Sequence, residues 1–133
     1  MSNPFEGQLQ VTAIRYIVND VDASVDFYTN KLGFKVVMHV KSAFASLSLD
    51  NLRLYLNRPG AGGAGQAMPD GAVPAPGGWN RFQLEIKDIE TIVEKLIKAG
   101  VKFRNTIVTG VGGKQILIED PSGNLIELFE PGS

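Results

Sequence analysis

The sequence predicts an α+β chain built from two tandem βαβββ modules whose curved mixed sheets form a cleft between or within them. Two observations carry this. A strand-to-helix step occurs twice, half a chain apart, and each copy is followed by three strand-like runs before the next break. The modules span residues 11–57 and 80–130, joined by a Gly/Pro-rich linker at 58–79.

In the first module, Arg15 to Asp22 alternates in the manner of a strand, and Ala23 to Leu32 then sets Val25, Tyr28 and Leu32 at helical spacing with Phe27 beside them. Asp20 or Asp22 is suited to cap that helix, and Gly33 to end it in the left-handed conformation. Lys35–Val40, Ala43–Leu49 and Leu52–Leu56 follow as strands, with Asp50 and Asn51 as a two-residue hairpin turn. In the second module the strand from Arg81 leads into a helix over Ile89 to Ala99, striped by Ile92, Val93, Leu96 and Ile97 and stopped by Gly100. Its strands are Val101–Arg104, Lys114–Glu119 and Leu125–Glu130, the last two joined by the turn Asp120 to Asn124. One offset sets Asp20 on Asp88, Val25 on Val93 and Tyr28 on Leu96, which marks a duplicated module.

At 133 residues, 44% hydrophobic and 20% charged, the chain is read as one soluble domain. A net charge of −1 supplies no broad positive field, so nucleic acid is not an expected partner. The start lacks a secretory pattern and no run approaches membrane-spanning length, so membrane association is not expected and a cytoplasmic location is. The absence of cysteine removes thiolate nucleophiles and zinc-thiolate sites.

The runs NDVDASVDFYTNKLGF (Asn19 to Phe34) and EDPSGNLIELF (Glu119 to Phe129) resemble hallmarks of the vicinal oxygen chelate superfamily, which gathers glyoxalases, bleomycin resistance proteins and extradiol dioxygenases. With the repeat, the similarity spans about Val11 to Glu130. It implies the glyoxalase-like fold, a small-molecule ligand and a homodimer, and leaves activity open, because such folds serve lyases, dioxygenases and metal-free binding proteins.

Metal enzymes of this resemblance carry a His near the start of strand one, a ligand on the fourth strand, a His at the start of strand five and a Glu on strand eight. By position these places fall on Ala13, near Arg53 or Tyr55, on Arg81 and on Glu127. Only Glu127 is a ligand type, while a catalytic transition-metal site takes three protein donors. The single histidine, His39, lies on the second strand and is read as satisfied locally. No metal and no cofactor is therefore expected, and Arg81 is expected to pair with Glu127 where the ion's charge would stand.

Period two points Arg81, Gln83 and Glu85 to the cleft, with Glu127 and Phe129 on the last strand and Arg15 on the first. Phe44, Tyr55 and Trp79 are candidate walls, and Lys114, beside the glycines at 110, 112 and 113, a candidate contact at the mouth. That glycine run does not have P-loop spacing. Arg and Gln donors suit a planar, partly apolar ligand with an anionic or carbonyl group. Arg15 and Arg81 work against a cationic, bleomycin-type drug.

The expected function is thus binding of a small organic molecule in a metal-free cleft, with Glu127 as the catalytic carboxylate if acid/base chemistry occurs. An enzyme built this way would be a glyoxalase-like lyase. Two alternatives stand beside it: a metal lyase or dioxygenase with displaced ligands drawn from His39, Glu85 and Glu127, and a non-catalytic dimeric interaction module.

Overall fold

Helix α1 (Val21–Leu32) begins because Asp20, in extended conformation, accepts the Ala23 amide through its side chain. It ends because Gly33 takes φ 81°, letting Gly33 and Phe34 donate back to Thr29 and Tyr28. The same device repeats in α2 (Ile89–Lys98), where the Asp88 carboxylate accepts from the Thr91 amide and hydroxyl and Gly100 takes φ 80°. The first helix starts at Val21 rather than Ala23, since Asp20 and not Asp22 caps it.

The computed structural model describes residues 3–132. Strands β1 (Ile14–Ile17), β2 (Lys35–Val40), β3 (Phe44–Leu49) and β4 (Leu52–Asn57) form one sheet in the order β1-β4-β3-β2. Strands β5 (Arg81–Glu85), β6 (Lys102–Phe103), β8 (Gly113–Glu119) and β9 (Leu125–Pro131) form the second in the order β5-β9-β8-β6, and β7 (Val108–Thr109) also pairs with β8. The chain is therefore α+β, and each sheet has one parallel pair, β1 with β4 and β5 with β9. The expected strand over Val101–Arg104 shrinks to two residues, and β7 takes up the rest of the β8 edge. Gly113, at φ 147°, sets the start of β8 so close to β9 that a Cβ would lie 2.1 Å from the Glu130 carbonyl oxygen.

One hydrophobic core serves both sheets. Tyr16, Leu54, Leu56, Ala45 and Leu47 of the first pack with Val25 and Tyr28 of α1, and Phe82, Ile116, Ile118, Ile126 and Leu128 of the second complete the cluster with Leu96 of α2. The modules meet where β1 faces β5: the Tyr16 and Phe82 rings lie 5.6 Å apart, and the Tyr16 hydroxyl donates to the Leu125 carbonyl and accepts from the Phe82 amide. Burial pushes the Tyr16 phenol up to about 12, so it serves as a neutral donor.

A second tie is the turn Asp120 to Asn124. The buried Asp120 carboxylate accepts from the amides of Ser122 and Asn124, the Asn124 side chain and the Tyr28 hydroxyl of α1. Asn124 in turn donates to the Ile17 carbonyl and accepts from Gly77. The Gly/Pro segment 58–79 contains no helix or strand, and this last contact anchors its end to the turn. Among the described residues, no helix is long and apolar enough to cross a membrane.

Candidate functional site

The face of the second sheet that points away from the core carries the charged residues. Gln83 sits beside Glu127 in the parallel β5–β9 ladder, and Arg81 stands two residues earlier on the same side. Arg81 Nε donates to Glu127 Oε1 at 3.0 Å, and Gln83 Nε2 donates to Oε2 at 2.6 Å. Glu127 is only 8% exposed, so these two donors replace most of its water. Arg81 also reaches the Trp79 carbonyl at 3.4 Å. At the end of β8, Glu119 accepts from Arg104 Nε at 2.8 Å with Lys102 at 3.8 Å, and the Arg104 hydrogen bond holds the Glu119 carboxyl below its usual range against the opposing effect of burial. The Arg104 guanidinium lies 5.7 Å from the Trp79 ring, closing a chain from Glu119 through Trp79 to Arg81 and Glu127.

The outward face of the first sheet is different. The Arg15 guanidinium covers the Tyr55 ring at 5.1 Å and donates to the Asn57 side-chain oxygen. Phe44 leans on Tyr55 with ring centroids 5.9 Å apart. Arg53 and Lys35 flank Ser48 in one cross-strand row of this face. Sequence pattern points to Arg15, Phe44 and Tyr55 as binding residues and to Arg53 only as a metal position, and it does not mark Lys35, Lys102 or Arg104 as site residues. Alternation sets Lys102 and Arg104 on one side of their own strand, and the pairing of β6 with β8 brings that side to Glu119.

Within one chain these residues lie on two faces, one on each sheet. Among the described residues, no hydrogen bond, ion pair or aromatic contact joins Arg15, Phe44 and Tyr55 to Arg81, Gln83, Glu127 or Trp79. The physical reason is that the core is shared: both sheets spend their apolar faces on one cluster with α1 and α2, leaving two separate outward faces. Gln83 and Glu85 also border a cavity of about 430 Å³ between β5 and the β3–β4 hairpin. Glu85 is exposed and pairs with no cation among the described residues, and Phe129 is half-buried beside it in the ladder. Lys114 lies on the helix side of β8, where its ammonium holds Glu90 at 2.6 Å near the start of α2, and its register partner is Glu130. His39 likewise points to the helix side, with Nε2 2.7 Å from Asp22.

Donor chemistry decides whether a transition metal fits at the position the resemblance implies. Ala13 has no donor atom and Arg81 is a permanent cation without an acceptor, which leaves Glu127 as the one ligand type at these positions. This set does not fit the ion. Among the described residues one trio of acids, Asp88, Glu90 and Glu130, comes within metal-chelating distance. Their oxygens are engaged by the α2 amides of Ile89 and Thr91 and by Lys114, which makes them the helix cap.

The Glyoxalase/Bleomycin resistance protein/Dioxygenase superfamily model matches residues 10–128. A bleomycin resistance protein of Geobacillus stearothermophilus is 27% identical over 120 residues, covering 85% of this chain and 90% of that protein. A Sphaerobacter thermophilus structure described as a member of the same superfamily aligns with TM-score 0.72 and 26% identity over 92% of this chain and 97% of that one. A lactoylglutathione lyase of Agrobacterium tumefaciens has the same fold, with TM-score 0.72, 17% identity, and 92% and 95% of the two chains covered.

Proposed function

The chain belongs to the Glyoxalase/Bleomycin resistance protein/Dioxygenase superfamily, and from that premise we propose that it binds a small organic molecule bearing a carbonyl or anionic group, without a metal ion. The observation that carries the reading is the Arg81–Glu127–Gln83 cluster. Where metal-dependent relatives would need a second imidazole, a guanidinium stands, paired with the one carboxylate that the position retains. Arg81 and Gln83 are oriented by that carboxylate, each keeping N–H groups free for a ligand oxygen.

Glu127 is the carboxylate available for proton transfer in this site, since each oxygen keeps an acceptor position beyond the contact it makes. The reading includes a homodimer. In it, the β1–β4 face of one copy covers the β5–β9 face of its partner, so that Arg15, Phe44 and Tyr55 close the cleft opposite Arg81, Gln83, Glu85, Phe129 and Trp79. Supporting this is the charge pattern, cations without acids on the first face and an uncompensated Glu85 on the second. Sedimentation should then give twice the 14.4 kDa chain mass.

The direct test is amide chemical-shift mapping with a panel of small carbonyl and carboxylate compounds. Shifts centred on Arg81, Gln83 and Glu127, weakened by Glu127→Gln, are the expected result. Shifts confined to the apolar cavity of about 520 Å³ lined by Val93, Phe103 and Ile116 would overturn the site.

A further inference from the structure

We infer that the outward face of the β1–β4 sheet is an anion-recognising half-site for an aromatic carboxylate, with the ring against Tyr55 and Phe44 and the carboxylate among Arg53, Lys35 and Arg15. This rests on the proposal that the protein binds a small molecule, and adds the chemical class and the residues that select it. Cross-strand pairing fixes the membership of the face: Lys35, Ser48 and Arg53 form one row, Arg15, Tyr55, Ser46 and Met38 the next, and Asn57, Phe44 and Val40 another. It holds three cations and no carboxylate. The acids of the module lie elsewhere, Asp20, Asp22 and Asp26 at α1 and Asp50 in the hairpin turn.

On the second sheet every cation of the face has a counter-charge: Arg81 on Glu127, Arg104 and Lys102 on Glu119. On the first, neither Arg15, Arg53 nor Lys35 lies within ion-pair distance of any acid among the described residues, and Arg53 and Lys35 make no side-chain hydrogen bond there. Strand spacing puts the Arg15 and Arg53 backbones about 8 Å apart and Lys35 about 10 Å from Arg53, so one carboxylate is within reach of all three long side chains. Arg15 is the most constrained, stacked on Tyr55 and tied to Asn57, with most of its five donors still free. Like charges gathered without a partner are relieved by a bound anion, and a planar Arg fork favours a carboxylate. The tilted Phe44–Tyr55 pair, half-buried at 5.9 Å, supplies the apolar surface for a ring beside it.

Three probes of one shape separate the terms: 2-naphthoate, 2-naphthylmethanol and 2-naphthylmethylammonium, titrated by fluorescence and by amide shifts into the full chain. The carboxylate is expected to bind about tenfold or more tightly than the alcohol, and the ammonium most weakly. Arg53→Gln and Arg15→Gln should each remove most of that preference, and Arg53→Lys restore part of it, with unfolding curves confirming that the variants fold. Lys98→Gln, which removes the same charge from exposed α2, should change nothing. If the alcohol and ammonium bind as well as the carboxylate while still shifting Arg81, Gln83 and Glu127, the anion assignment fails and the cleft stands. If none of the three binds at millimolar concentration, the aromatic-carboxylate assignment fails, and the carbonyl and carboxylate panel decides the cleft separately.

Discussion

Replacing Arg81 by alanine removes the cation that shields Glu127, and the structure sets the size of the effect. The Glu127 side chain is 11% exposed and that of Arg81 32%, so the pair is neither a solvated surface contact nor a fully buried one. Removing one partner of a fully buried pair costs roughly 3–5 kcal/mol, and surface pairs are worth at most about 1 kcal/mol. With Gln83 still donating at 2.6 Å, Arg81→Ala should destabilise by about 1–3 kcal/mol, a drop in melting temperature of roughly 4–12 °C for a chain of this size. Urea unfolding of Arg81→Ala, Glu127→Leu and the double variant gives the coupling. The double variant should recover much of the loss, because no charge is then left without its partner. A loss under about 0.3 kcal/mol for Arg81→Ala, with strictly additive single effects, would refute the claim that Arg81 compensates a buried charge.

Arg104→Gln removes the hydrogen bond that lowers the Glu119 carboxyl. A lowered folded-state value gives stability that is present above the unfolded carboxyl's range and lost as pH falls through the folded value, so the variant should be weaker at pH 7 by about 1 kcal/mol and match the parent near pH 2 in urea titrations. Asp120 runs the other way: burial raises its carboxyl, so its contribution is full below the unfolded value and fades as pH rises through the folded one. Tyr28→Phe deletes a donor at 2.9 Å to the charged form and should cost about 1–2 kcal/mol, more at pH 7 than at pH 3. Gly113→Ala places a methyl 2.1 Å from the Glu130 carbonyl oxygen and should lower stability by more than about 2 kcal/mol, checked by thermal unfolding. Lys114→Ala should leave ligand affinity unchanged in the shift-mapping titration, because its ammonium serves the start of α2.

The repeat and its punctuation were legible because each rests on short-range chemistry. Asp20 and Asp88 cap, Gly33 and Gly100 stop, and all four do so through contacts within a turn of their own position. Strand parity was equally local, and it correctly aligned Arg81, Gln83 and Glu127 on one face. The same counting applied back from Glu119 would have sent Lys114 to the helix side, but its neighbouring glycines suggested a free loop. Other features depend on partners distant in sequence. That Arg104 meets Glu119, or that β7 fills the β8 edge, follows from register across a loop whose path no periodicity encodes. The separation of the expected cleft into two faces follows from how β1 meets β5 through Tyr16, Phe82 and Leu125, a contact between modules that neither module's pattern contains.

We propose that the paired Arg81 guanidinium and Glu127 carboxylate stand in the place of a metal ion. Elemental analysis of protein purified without chelator, followed by calorimetric titration with zinc, nickel, manganese and iron(II), tests it most directly. No stoichiometric metal and no binding tighter than millimolar are expected, unchanged in Glu127→Gln. One equivalent bound at micromolar affinity or better, and lost in Glu127→Gln, would contradict it.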